Sequence, residues 1–120
     1  MSVDPTGNDL KRYLAEDEGG PVVMLNLLRF APDGRQFYDQ YAREIGPHLQ
    51  KVGARVVYIG DTSTALVAPD GFDWDAVLLV EYPTRAAFSA MVADPDYQRI
   101  THLRTEALSE AVLQATTPRR

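Results

Sequence analysis

Two segments of this chain are apolar on both alternating faces, and that pattern limits the folds open to it. Val22-Val23-Met24-Leu25-Asn26-Leu27-Leu28-Arg29-Phe30 follows Pro21, begins with a β-branched pair and is closed by Ala31-Pro32-Asp33-Gly34. Trp74-Asp75-Ala76-Val77-Leu78-Leu79-Val80-Glu81-Tyr82 has the same character in its middle and is stopped by Pro83-Thr84. Short apolar runs bounded by turn residues read as strands buried on both faces. Such strands belong at the centre of a sheet, and both surfaces of that sheet need cover.

The segments between and around them supply the remaining elements. Phe37, Tyr41, Ile45, Leu49 and Val52 recur every three or four residues, the spacing of a helix with one buried face. Gly46-Pro47 lies inside that run, so a kink or break is expected, with Pro47 opening a short last turn that Gly53 ends. Ala54–Ile59 reads as a second strand with a bulge or bend at Gly60-Asp61, and Thr64–Val67 is a candidate continuation. Thr84 caps a helix with Ala87, Phe88, Met91 and Val92 on its inner side, and Asp94-Pro95-Asp96 breaks it. Tyr97–Leu103 forms a further short helix, and Ala107–Thr116 reads as a fourth strand, with helix as the alternative. Ahead of the first strand, Asn8 or Asp9 caps a short helix carrying Leu10, Tyr13 and Leu14 on one face, ended by Gly19-Gly20. So narrow a stripe on so short a helix must dock on the main body. The expected division is a helical extension over residues 1–20, the domain over 21–116 and a frayed tail over 117–120.

The order β-α-β-β-α-β predicts an α+β, ferredoxin-like protomer: two interleaved right-handed crossovers and a four-stranded antiparallel sheet in the order 4-1-3-2. Its helices cover one sheet face, yet strands one and three are apolar on both. An open apolar face of that extent exceeds what soluble monomers expose. A second sheet from another copy of the chain is the expected cover, giving a face-to-face homodimer.

Composition narrows the function classes. At 120 residues the chain has room for one domain, and 45% apolar with 24% charged residues is the composition of a folded globule. A net charge of −5 leaves no basic excess to displace counterions from phosphates, so no nucleic-acid partner is expected. Without cysteine there is no disulfide scaffold, thiolate zinc site or thiol nucleophile. The opening Met1-Ser2-Val3-Asp4-Pro5 lacks a basic-then-apolar leader, and Val22–Leu28 is too short to span a bilayer; a cytoplasmic protein without membrane partners is expected.

Several segments carry a family resemblance: Pro21–Phe30, Phe37-Tyr38-Asp39-Gln40-Tyr41 followed by Gly46-Pro47, and Val52-Gly53-Ala54-Arg55. Trp74-Asp75, Glu81-Tyr82-Pro83-Thr84 and the stretch from Asp94-Pro95-Asp96-Tyr97 to Arg104 extend it. Over roughly Pro21 to Thr116 the chain resembles the bacterial family described as domain of unknown function 1330, within the dimeric α+β barrel superfamily. The resemblance implies a ferredoxin-like protomer and a homodimer whose sheets enclose a barrel-like core. Relatives across that superfamily include cofactor-free quinol monooxygenases, muconolactone isomerase, stress-responsive barrels and haem enzymes, so the shared fold transfers no function.

Candidate site residues follow from their chemistry. Asn26 is an amide inside a buried strand, where it costs about 1–3 kcal/mol unless its hydrogen bonds are met. It either orients a substrate carbonyl or oxyanion in a pocket, or bonds a neighbouring backbone. Glu81, expected on the sheet face shared with Asp75, Val77 and Leu79, is a candidate general base, with a strand-end ion pair to an Arg as the alternative. His48, after the Gly46-Pro47 break, and His102 are candidate acid-base groups, or surface and capping groups. Arg29 and Arg104 are candidates to hold an anionic group, and Tyr41 and Trp74 to form an aromatic wall. No metal-ligand spacing, phosphate loop, GxSxG or HExxH occurs, so no metal or cofactor is expected. The expected function is a homodimeric barrel holding a small, hydrophobic, oxygen-bearing molecule. The alternatives are a cofactor-independent monooxygenase- or isomerase-like enzyme using Asn26 with His48 or Glu81, and a non-catalytic or stress-associated dimer.

Overall fold

A computed structural model describes residues 3–119. The two doubly apolar segments form β1 (Val22–Phe30) and β3 (Ala76–Tyr82), antiparallel neighbours at the centre of the sheet. β2 (Arg55–Asp61) lies outside β3 and β4 (Leu108–Thr116) outside β1, so the order is β2-β3-β1-β4. This is the expected order 4-1-3-2 read from the other edge.

The register decides which residues meet. Val22 faces Tyr82, Met24 faces Val80, Asn26 faces Leu78 and Leu28 faces Ala76. On the other side Asn26 pairs with Leu113 of β4. Strand alternation therefore sends Val22, Met24, Asn26, Leu28, Ala76, Leu78, Val80 and Tyr82 toward one face. The helices pack there: most of these side chains join Tyr38, Tyr41, Leu49, Phe88, Met91, Tyr97 and Leu103 in one core. Val23, Leu25, Leu27, Val77 and Leu79 point the other way and stay partly exposed.

Between the strands run α2 (Gly34–Lys51), α3 (Arg85–Ala93), α4 (Pro95–Gln98) and α5 (Thr101–Ala107). Helix α2 is continuous through Pro47, so the chain does not break there. Gly46 and Pro47 are both exposed, so the Arg43 carbonyl that loses its donor can turn to water. Gly46 also has no Cβ to clash with the proline ring, which removes the usual bar to helical geometry before proline. The buried stripe of α2 is Gly34, Tyr38, Tyr41 and Leu49; Phe37, expected on it, is exposed. Gly34 sets this rotation, because a Cβ there would lie 2.1 Å from the Ala107 carbonyl oxygen.

Three further differences concern edges. The register shift of β2 falls between Val56 and Tyr58, not at Gly60-Asp61. Thr64–Val67 does not continue the strand, and Leu66 and Val67 are almost fully exposed. The expected Tyr97–Leu103 helix is divided between α4 and α5, and the last strand starts one residue later than Ala107.

The N-terminal helix α1 (Gly7–Ala15) is capped by Thr6 in a reciprocal box with Asp9, not by Asn8 or Asp9. Leu10 and Tyr13 pack against the core, whereas Leu14 is exposed. Its docking is mostly polar: the Tyr13 hydroxyl donates to the Arg85 carbonyl (3.4 Å), and Arg85 Nη1 donates back to the Tyr13 carbonyl (2.7 Å). The Arg85 guanidinium lies 4.8 Å from the Tyr13 ring centre. Among the described residues no helix is long and apolar enough to cross a membrane.

Candidate functional site

The helices do not fill the space above the sheet. A cavity of about 400 Å³ remains, floored by Met24, Asn26, Leu78 and Leu113, and roofed by side chains of α2, α3 and α4. This volume lies within the range that holds small molecules. Val56 and Ile59 of β2 form part of its rim and are about half exposed, because no helix reaches over that edge strand.

Few polar groups enter this apolar chamber. Asn26 is 7% exposed, and its Nδ2 donates to the carbonyls of Met24 (3.3 Å) and Leu78 (3.4 Å). Both partners are acceptors, so the amide nitrogen must face them. Oδ1 accepts no hydrogen bond among the described residues.

Four buried tyrosines, Tyr38, Tyr41, Tyr82 and Tyr97, line the cavity beside Gln98 and Thr101. The hydroxyls of Tyr41 and Tyr97 are 2.7 Å apart and bond to each other. One proton bridges them and the other has no acceptor in the pair. Tyr38 and Tyr82 hydroxyls bond to no described residue. Burial pushes the Tyr38 phenol up to about 12 and raises Tyr82; burial and then the adjacent Tyr97 hold Tyr41 well above its ordinary value. These three are therefore protonated hydrogen-bond donors at neutral pH.

Arg104 of α5 completes the wall. Its side chain is 8% exposed, and its Nη1 donates to the Val3 carbonyl and to Asp4 Oδ1 (3.1 Å). Nη2 is buried without a hydrogen-bond partner. Asp4 Oδ2 also accepts from Thr105 Oγ1 (2.9 Å), so the segment ahead of α1 is strapped across the Arg104 end of the cavity.

Of the residues singled out from sequence, Asn26, Tyr41 and Arg104 come together here. The others do not. Glu81 lies on the opposite sheet face, beside Val77 and Leu79, with its Oε1 2.9 Å from Arg55 Nε. It is thus separated by the sheet from Asn26. Arg29 and Trp74 meet each other, the guanidinium 5.0 Å from the indole centre, but away from the cavity. Arg29 is spent on the Asp73 carbonyl (2.6 Å) and Glu110 (2.6 Å), pinning the loop before β3. His48 packs edge-on against Tyr97 with ring centres 6.0 Å apart and is not part of the cavity wall; His102 is exposed.

Sequence reasoning passed over Tyr38, Tyr82 and Tyr97 as functional groups. A signal existed: Tyr38 and Tyr41 stand at helical spacing, and a buried phenol normally has a hydrogen-bond partner. That the Tyr38 and Tyr82 hydroxyls bond no described residue, and that the Tyr97 hydroxyl pairs only with Tyr41, is visible only once the helices are placed.

Several solved structures similar to this chain are described as proteins of unknown function. RPA0582, a protein of unknown function from Rhodopseudomonas palustris, is 34% identical with a TM-score of 0.90, over 99% of this chain and 98% of its own. A dimeric ferredoxin-like protein of unknown function from Thermobifida fusca is 12% identical with a TM-score of 0.57, over 84% and 93%. SnoaB, a cofactor-independent oxygenase from Streptomyces nogalater, is 14% identical with a TM-score of 0.60, over 85% and 96%. The last two show the fold alone. No protein of curated function matches the sequence. The profile described as Domain of unknown function (DUF1330) matches residues 27–116, from the middle of β1 to the end of β4. This chain belongs to the DUF1330 family, with a ferredoxin-like fold.

Proposed function

We propose that this protein holds one small, mostly apolar, oxygen-bearing compound in the cavity between the sheet and its helices. The observation that carries the reading is the cavity itself: an apolar chamber whose polar groups, Tyr38, Tyr82 and the Tyr41–Tyr97 pair, have hydroxyl protons that no described residue accepts. Hydroxyls that keep a free proton inside an apolar chamber are ready donors, and a bound oxygen would accept from them. Asn26, Tyr41 and Arg104 are the ligand-facing residues in this reading.

The chain would pair as a homodimer through the open sheet face, so the cavity lies on the helix side of each sheet and not in the barrel between the two sheets, where the pocket was expected. Val23, Leu25, Leu27, Val77 and Leu79 form an apolar surface that a second sheet would cover, and the Thermobifida fusca neighbour is described as dimeric. Glu81, Arg29 and Trp74 belong to that face, where they order strand ends and a loop. Should the site be catalytic, as in the cofactor-independent oxygenase with the same fold, proton transfer would fall to the tyrosine pair, since His48 and Glu81 lie outside the cavity.

The test uses 1-tetralone as an apolar carbonyl probe, titrated calorimetrically into the parent protein and into Ala42→Trp. Ala42 is exposed yet borders the cavity, so the indole blocks the chamber without overpacking the core. Binding to the parent and its loss in the folded variant are expected; equal binding by both would refute the assignment. Sedimentation should give twice the chain mass for the parent and the chain mass for Leu25→Asp.

A further inference from the structure

Building on that reading, the donor and acceptor pattern of the cavity specifies the ligand's chemistry more narrowly. Asn26 has both amide protons committed to strand carbonyls, which leaves Oδ1 as an unpaired acceptor on the cavity floor. The remaining lining is rich in donors: the Tyr38 hydroxyl from the helices, the Tyr82 hydroxyl from β3, one proton of the Tyr41–Tyr97 pair, and the Arg104 guanidinium. Oxygens that accept from the tyrosine wall and a proton that satisfies Asn26 would pair every one of these side chains.

Charge sets the second condition. Arg104 and Asp4 are the only charged side chains on the described cavity wall, and they pair at 3.1 Å. A carboxylate ligand would be desolvated beside a cation already paired, and would face the Asp4 carboxylate. A neutral carbonyl oxygen meets no such penalty and still accepts hydrogen bonds from phenols and the guanidinium.

We infer that the ligand is a neutral hydroxy-carbonyl compound, its carbonyl oxygen held by the tyrosine wall and Arg104 and its hydroxyl read by Asn26 Oδ1. Asn26 is then the specificity-determining residue of the site. The inference rests on the cavity being a ligand site, and the experiment separates the two claims.

The probes are 1-tetralone, its 5-, 6- and 7-hydroxy derivatives, the matching methyl ethers, and the naphthoate and hydroxynaphthoate carboxylates, titrated at pH 6 where the phenols are neutral. At least one hydroxytetralone should bind about tenfold more tightly than its methyl ether, the worth of one buried hydrogen bond. The carboxylates should bind more weakly than 1-tetralone. In Asn26→Leu the preference for hydroxyl over methyl ether should fall to within about twofold. The comparison within the parent protein needs no variant to fold. If 1-tetralone binds but hydroxyl and methyl ether bind equally, or if carboxylates bind best, the inference is overturned while the cavity reading stands. If no probe binds, the cavity reading fails and takes the inference with it.

Discussion

Replacing Asn26 by leucine should make the protein more stable, and the expected gain can be worked from its surroundings. The residue is 7% exposed, and its two hydrogen bonds are long, 3.3 and 3.4 Å. Bonds beyond the usual 2.7–3.2 Å range fall at the low end of the net contribution, so together they are worth about 1 kcal/mol. The accepting residues, Met24 and Leu78, lie in ladders on both sides and keep strand partners. Against that loss, the variant removes an unpaired buried amide oxygen, which costs about 1–3 kcal/mol. It also adds an apolar side chain to a cavity wall, where partial burial contributes about 1 kcal/mol, half of the full-burial value or less. The net expectation is a gain of about 1–3 kcal/mol, or several degrees in Tm for a chain of this length. Urea unfolding followed by circular dichroism measures it, at one protein concentration because dimerisation couples to stability. A rise in midpoint at constant slope fits an amide retained for function. A fall of about 2 kcal/mol would refute the reasoning and make Asn26 a structural amide of the β1–β3 pair.

Three other expectations follow from the same geometry. Tyrosinate absorbance should resolve two classes, because Tyr13 and Tyr38 are pushed up to about 12 and Tyr41 and Tyr82 are also raised by burial. The native state then holds protons that the unfolded state releases near pH 10, so stability is full below that value and falls as pH rises toward 12; a single titration of all six tyrosines near pH 10 in a folded protein would contradict it. Gly34→Ala should cost at least about 2 kcal/mol in urea unfolding, since the new Cβ meets the Ala107 carbonyl oxygen at 2.1 Å and both partners are backbone. Arg104→Met should loosen the N-terminal strap: hydrogen exchange should quicken across residues 3–16 while the central strands keep their protection, because Arg104 ties down Val3 and Asp4.

Much of the architecture is legible without coordinates because it rests on local rules. The runs Val22–Phe30 and Ala76–Tyr82 are apolar on both faces, and only central strands satisfy that pattern. Right-handed crossovers then leave one sheet order, which is the one observed. Thr84 caps α3 through the Ala87 amide, as its position before Arg85-Ala86-Ala87 implies. The misplaced details are those that tertiary contact sets. Phe37 and Tyr38 fit the α2 stripe equally well by spacing, and the close approach of Gly34 to Ala107 chooses between them. A proline after an exposed glycine does not break the helix here, yet exposure is not written in the dipeptide.

The site divides along the same line. Chain chemistry alone marks Asn26 as unusual, since an amide is costly inside a buried strand, while Tyr41 and Arg104 stand among several equal candidates with Arg29, Trp74, His48 and Glu81. Whether such groups share a chamber depends on strand parity and helix rotation. One-residue alternation places Asn26 under the helices and Glu81 on the opposite face, 2.9 Å from Arg55. Sequence by itself determined the sheet, its order and its unusual polar residues, because periodicity and turn chemistry act over a few neighbours. The tertiary structure alone decided which polar groups meet and which hydrogen bonds stay unmade, because a cavity is a property of elements that fail to touch.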